Sequence, residues 1–222
     1  MVFSEMAYHP TGCGTWVKID KGFATAEGIA MKSAAGGRRV FGVSAVFFGA
    51  IAWLWHDSAT WQNIHHIWSL PLGAVLGDGL MAAQIAGGIG IQNSRTARPA
   101  SVALSVVYLC FALACVPDIV ATQNVYEKYG GSFFLFLSLF FAAVALYAAE
   151  EPNGGRRLAF GHLARIGLGV CAISFALEQG LLLRATANAV PTWIPAGQMF
   201  WAVLTTVAFA LAAIVIHSLR CA

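Results

Sequence analysis

The sequence predicts an all-α fold, a polytopic membrane helix bundle of about six transmembrane helices with both ends in the cytoplasm. Three observations predict it. The 222 residues are 59% hydrophobic and only 10% charged, whereas a soluble domain carries roughly 25% charged residues. The apolar residues gather into stretches near the ~20 residues that cross a hydrocarbon core. Lys and Arg alternate between rich and poor from one loop to the next. A water-soluble fold of this length cannot hide so much apolar surface. Backbone in lipid must also bond to itself, so each apolar run reads as helix and not strand.

Residues 1–37 read as a polar cytoplasmic lead-in. They carry Glu5, Lys18, Asp20, Lys21, Glu27 and Lys32 among several glycines. They contain no apolar run of the kind a signal peptide needs. A short interfacial helix over Phe23–Met31 is the one regular element they suggest.

Residues 38–220 hold the spans, at about 40–55, 70–91, 100–116, 132–149, 158–183 and 196–217. The first and third are short for a core of about 30 Å and must recruit flanking residues. Pro71, Pro99 and Pro195 stand at the starts of spans two, three and six, where a missing N–H costs nothing. Pro117 and Pro152 follow spans three and four, and Pro191 lies in a loop. No proline falls inside a span, so no broken helix of the transporter kind is expected.

Basic residues set the orientation. Lys18, Lys21, Lys32, Arg38, Arg39, Arg95, Arg98, Arg156, Arg157, Arg165 and Arg220 fall on one side of this arrangement, and only Lys128 and Arg184 on the other. The rich side is cytoplasmic. Trp53, Trp55, Trp61, Trp68, Trp193 and Trp201 fall at or near the outer ends of spans, the headgroup level that indole prefers. With a net charge of only +3 and scattered basic residues, no nucleic-acid surface is expected. Cys13, Cys110, Cys115, Cys171 and Cys221 form no CxxC pair and match no zinc spacing. Those within spans read as small packing residues.

A helix–loop–helix unit recurs. Arg39-Val-Phe-Gly-Val-Ser-Ala opens the first span, as Arg165-Ile-Gly-Leu-Gly-Val-Cys lies near the start of the fifth. Trp68-Ser-Leu-Pro-Leu-Gly leads into the second, as Trp193-Ile-Pro-Ala-Gly leads into the sixth. Both copies start from the cytoplasm, so this is a parallel repeat.

The stretch Val190-Pro-Thr-Trp-Ile-Pro-Ala-Gly-Gln-Met-Phe-Trp-Ala-Val-Leu-Thr, ahead of a small-residue helix, resembles the DoxX-like family of bacterial membrane proteins. That family commonly shows a VP-x-W-x-P element before its last helix. The resemblance covers the last two spans well and the first four loosely. It implies a four-helix membrane core, here with an extra helix pair, in the bacterial cytoplasmic (inner) membrane. Some members serve quinone-linked sulfur or thiol oxidation, as the small subunit of a thiosulfate–quinone oxidoreductase. The resemblance therefore implies a subunit of a quinone-linked redox or respiratory complex, with quinone as the candidate cofactor and other membrane proteins as partners. Members often carry a His near the end of the helix before this element. Here that place holds Glu178-Gln179, while His56 takes the comparable place in the first repeat.

Two ionisable groups lie within spans, Asp78 and Glu178, both in the outer half. Intramembrane acids are costly and rare, and by default they are functional candidates. They read as a proton-exchanging or quinone-bonding pair, with a simple interhelical hydrogen bond as the alternative. Gln179, Trp55 and Trp193 are the accompanying cofactor-binding candidates. The outer loop His56-Asp57-Ser-Ala-Thr-Trp-Gln-Asn-Ile-His65-His66 holds three His and one Asp and no Lys or Arg. His56, Asp57, His65 and His66 are metal candidates by residue type. No standard motif is matched, so a polar interfacial loop is the preferred reading, and a mouth for protons or a small solute is a third. Gly73, Gly77, Gly79, Gly87, Gly88 and Gly90 suit close helix approach and point to span two as a central helix. The sequence leaves open whether the chain is an enzyme. Its alternatives are a structural or assembly subunit and a small-solute transporter.

Overall fold

The structure, a computed structural model, describes residues 22–55, 67, 69–123, 126 and 130–218, with side chains from residue 36 onward except 55, 130 and 131. The described residues form helices and no strand. In chain order they are α1 Gly22–Trp55, α2 Gly73–Gly90, α3 Ala97–Ala114, α4 Val116–Thr122, α5 Gly130–Ala149, α6 Gly154–Leu181, α7 Leu183–Ala189 and α8 Gln198–Ser218. The chain divides into two compact units, 1–37 and 38–222, with the boundary inside α1. Everything below concerns the second unit.

Five stretches are long and apolar enough to cross a bilayer: 36–54, 97–122, 132–149, 154–181 and 198–218. By length and composition this is a multi-pass membrane protein. Large apolar side chains such as Val40, Leu54, Leu76, Leu158, Leu211 and Ile214 stand exposed along these helices, as a lipid environment allows and water does not. The helix expected as span two, α2, falls short of the other five. Its 18 residues include Asp78, Gln84 and six glycines, which dilute its apolar content.

Successive long helices pack antiparallel, each on its neighbour in the chain. Gly42 of α1 meets Gly88 and Gln92, while Gly49 meets Ile85. Gly87 and Gly90 of α2 meet Leu104 and Ala100 at the start of α3. Phe111 at the end of α3 lies 5.4 Å from Phe136 at the start of α5. Phe141 of α5 covers Gly167 of α6, and Tyr147 stacks edge-on against Phe160 at 5.1 Å. Phe175 of α6 lies 5.2 Å from Phe209 of α8. The start of α1, the end of α2, the start of α3, the end of α5, the start of α6 and the end of α8 therefore share one end of the unit.

Three expectations are corrected. Span three does not stop at Val116. After a break at Cys115 the chain continues as α4, with Pro117 in its first turn, where the absent N–H is tolerated. Pro117 thus lies inside the 26-residue apolar stretch 97–122, near its C-terminal end. Span five does not run to Leu183; the helix breaks at Leu182, and a short α7 follows. Nor is α2 central. It packs on α1 and α3, and the main apolar core lies along α3, with Leu104, Val107, Phe111, Ala112 and Cys115 buried.

The two copies of the repeat fold alike at both ends. Leu72 (φ 63°) and Ala196 (φ 74°) each follow the proline of the lead-in and each adopt the left-handed region. This Pro–left-handed sequence turns the chain as a type II turn does. At the opposite end a polar side chain lies over a glycine of the hairpin partner. Gln92 covers Gly42 in the first copy, and His217 covers Gly169 in the second. The last hairpin is otherwise tied down by its own motif. Trp201 Nε1 donates to Pro195 O at 2.7 Å, and Gln198 donates to Val190 O.

Candidate functional site

The sequence-predicted residues fall in three places. His56, Asp57, His65, His66 and the Trp55 side chain lie outside the described residues. Asp78 sits half-buried on α2, and Glu178 half-buried on α6. The structure does not bring these two acids together. α2 packs on α3, while α6 packs on α5 and α8. Trp193 is 81% exposed in the α7–α8 connection and lines no cavity among the described residues.

Glu178 nevertheless has a polar neighbourhood. It lies one turn from the C-terminal end of α6. Ser174, one turn inward, donates to the Tyr126 hydroxyl at 3.3 Å. Gln179 accepts from Thr206 of α8 at 3.5 Å. Among the described residues the Glu178 carboxylate has no ion-pair partner.

At the opposite end lies a polar cluster that the sequence analysis did not single out. Arg98, at the start of α3, donates to Glu151 Oε2 at 2.6 Å and to the Tyr147 hydroxyl at 3.2 Å. Tyr147 donates to the same carboxylate oxygen at 2.7 Å. The Arg98 guanidinium also lies 5.3 Å above the Tyr147 ring, within cation–π range. Glu151 is only 3% exposed, and the Tyr147 hydroxyl first, then the Asn153 N–H and the Arg98 charge, hold its carboxyl below the usual glutamate range. Arg38 of α1 pairs with Glu150 at 2.7 Å. Asn153 caps α6 by accepting from Gly155 N at 3.0 Å and Arg156 N at 3.3 Å. A Glu-Glu-Pro-Asn turn thus binds α1 at Arg38 and the starts of α3 and α6. The signal was available: two acids inside an arginine-rich loop.

A cavity of about 300 Å³ opens between α1, α2, α3 and α5. Phe41, Phe48, Leu135, Phe136 and Leu139 form its apolar wall, and Ser44, Gln84 and Tyr108 are its polar lining residues. Gln84 is 2% exposed and Tyr108 3%, and the two side chains are hydrogen-bonded to each other. Phe41 meets Tyr108 edge-on at 6.0 Å, so the wall is aromatic. A lining this apolar holds water poorly.

No protein-family model matches the chain, and neither a curated protein nor a solved structure matches it. The function is therefore argued from the sites alone.

Cys115 and Cys171 are buried thiols and Cys110 is half-buried. They lie on packed faces of α3 and α6. Among the described residues no group of three His, Cys, Asp or Glu side chains converges on one point.

Proposed function

We propose that this chain is a six-span subunit of the bacterial cytoplasmic membrane, DoxX-like in kind, with both termini cytoplasmic. In this reading it serves a quinone-linked redox or respiratory complex through a polar site in its outer half. The observation that carries the reading is Glu178. An acid one turn inside a span, with no ion-pair partner among the described residues, is expensive to keep and is a functional candidate for that reason. Ser174, Tyr126, Gln179 and Thr206 give it hydrogen-bonding company, and such a site can hold or pass a proton at the carboxylate. α2 counts as the sixth span here because it runs antiparallel between α1 and α3. The gathering of Arg38, Arg39, Arg95, Arg98, Arg156 and Arg157 at one end supports the orientation.

The test uses native membranes. Quinone is expected to copurify with the protein in mild detergent, and Glu178→Gln is expected to lower quinone-dependent turnover at least tenfold. Normal turnover in a Glu178→Gln/Asp78→Asn double variant removes the proposal.

A structural or assembly role is the second reading, and α8 favours it. Only Ala202 and Ala213 of that helix are buried, so most of its surface is free for another membrane subunit. Other membrane proteins are expected to copurify with the wild type. A monodisperse monomer from native membranes counts against this role.

A further inference from the structure

We infer that the cavity between α1, α2, α3 and α5 is a binding site for an uncharged, two-ring-sized apolar molecule that carries one hydrogen-bonding oxygen. The inference rests on the membrane reading of these helices and is independent of Glu178.

Size sets the first limit. The cavity is about 300 Å³, and an apolar cavity of about 150 Å³ suffices for benzene. Two rings fit, whereas a bulky polycyclic does not. Access sets the second. The side chains nearest the surface are Phe48 of α1, 44% exposed, and Leu135 of α5, 47% exposed. Both stand on spans, so the mouth faces hydrocarbon. A ligand arriving that way is already dissolved in the bilayer, which excludes ions and sugars. Chemistry sets the third. Among the described residues no lysine, arginine, aspartate or glutamate lines the cavity, so a charged group would meet no counter-charge from them. The polar pair Gln84–Tyr108 lies at the buried end, away from the mouth. The Tyr108 hydroxyl has both a donor and acceptor positions, and its bond with Gln84 uses one of them. An oxygen on the ligand reaching that end finds a partner, while the rings lie along Phe41, Phe48 and Phe136. An acyl chain would fill the apolar part but leave the polar end unanswered.

Benzophenone and diphenylmethane separate these cases, because they share a shape and differ by one carbonyl. Both are titrated into the detergent-solubilised full-length protein. Benzophenone is expected to bind saturably and roughly five- to tenfold more tightly than diphenylmethane, the factor of a single net hydrogen bond. Tyr108→Phe is expected to abolish that preference while diphenylmethane binding stays the same. Leu139→Trp, which fills the cavity without touching the polar pair, is expected to remove both, with the melting temperature kept. Irradiation is expected to crosslink benzophenone to peptides containing residues 41–48 or 135–139. Glu178→Gln is expected to leave all of this unchanged, so loss of the outer-site proposal and loss of this one are read separately. Equal affinity for the two probes overturns the inference in favour of a lipid-chain niche. Non-saturable uptake, or crosslinks scattered over the exposed helices, overturns it outright.

Discussion

Arg98 and Glu151 meet in a 2.6 Å ion pair that fastens the α5–α6 turn to the start of α3. Exposed ion pairs contribute little, but Glu151 is buried and shares Tyr147 with Arg98, so its loss leaves two groups without their partner. The partner pair Arg38–Glu150 is different, because its carboxylate is 31% exposed. Glu151→Gln is expected to lower the melting temperature in detergent by several degrees, and Glu150→Gln by half of that or less. Equal shifts would show that burial does not distinguish the two acids.

The same carboxylate sets a pH dependence. Hydrogen bonding from Tyr147, first, and the neighbouring Arg98 charge hold Glu151 below its ordinary range. A depressed folded-state pKa means that the unfolded chain binds the proton more readily. The stabilisation is complete above the unfolded value, about 4.3, and disappears as pH falls through the lower folded value. Wild type is expected to lose stability on acidification below about pH 4.3 more steeply than Glu151→Gln. Parallel pH profiles of melting temperature would remove Glu151 as the cause.

Two glycines of α2 make opposite predictions. A Cβ on Gly88 would lie 2.7 Å from Gly42 O and 2.9 Å from Val46 N, both backbone atoms that cannot swing away. Gly88→Ala is expected to push α1 off α2 and destabilise by about 1–3 kcal/mol. A Cβ on Gly79 meets nothing. Gly79→Ala is expected to be neutral or to stabilise by up to about 1 kcal/mol through helix propensity. Unfolding in a graded SDS series reads both.

The left-handed residues before α2 and α8 offer a test of the repeated hairpin. Leu72 and Ala196 hold a conformation that costs an L-residue roughly 1–2 kcal/mol and glycine little. Leu72→Gly and Ala196→Gly are each expected to raise stability by up to about 1 kcal/mol, and to do so additively. A loss at either position would mean that its turn differs from the one described.

Topology follows from the antiparallel order. Cysteines placed at Ser94 and Thr192, both exposed, are expected to react with a membrane-impermeant thiol reagent from opposite sides, Thr192→Cys from outside and Ser94→Cys only after permeabilisation. Labelling of both from outside would mean that one of α3, α5 and α6 does not cross.

Much of the helix layout was legible, because a long apolar run in a chain with few charges has few other outcomes. The boundaries were less so. Pro117 reads as a stop, yet the backbone resumes a helix at Val116, directly after Cys115, since a proline in a first turn breaks nothing. The acids were legible as rare residues but not as a pair. Asp78 and Glu178 have similar depths, and depth along a span says nothing about which helices are neighbours. The Arg98–Tyr147–Glu151 cluster was missed for the converse reason. Charges in a loop look solvated until the fold shows that one of them is buried.

The sequence alone determined the helical class, the candidate spans and the side on which arginine collects, because hydropathy and loop charge are local properties of the chain. Only the tertiary structure decided which helix faces touch. Gly42 lies against Gly88, Gln84 reaches Tyr108, and between these contacts a cavity is left. Residues from four helices, far apart in sequence, define that space, and no period or spacing along the chain encodes how they converge.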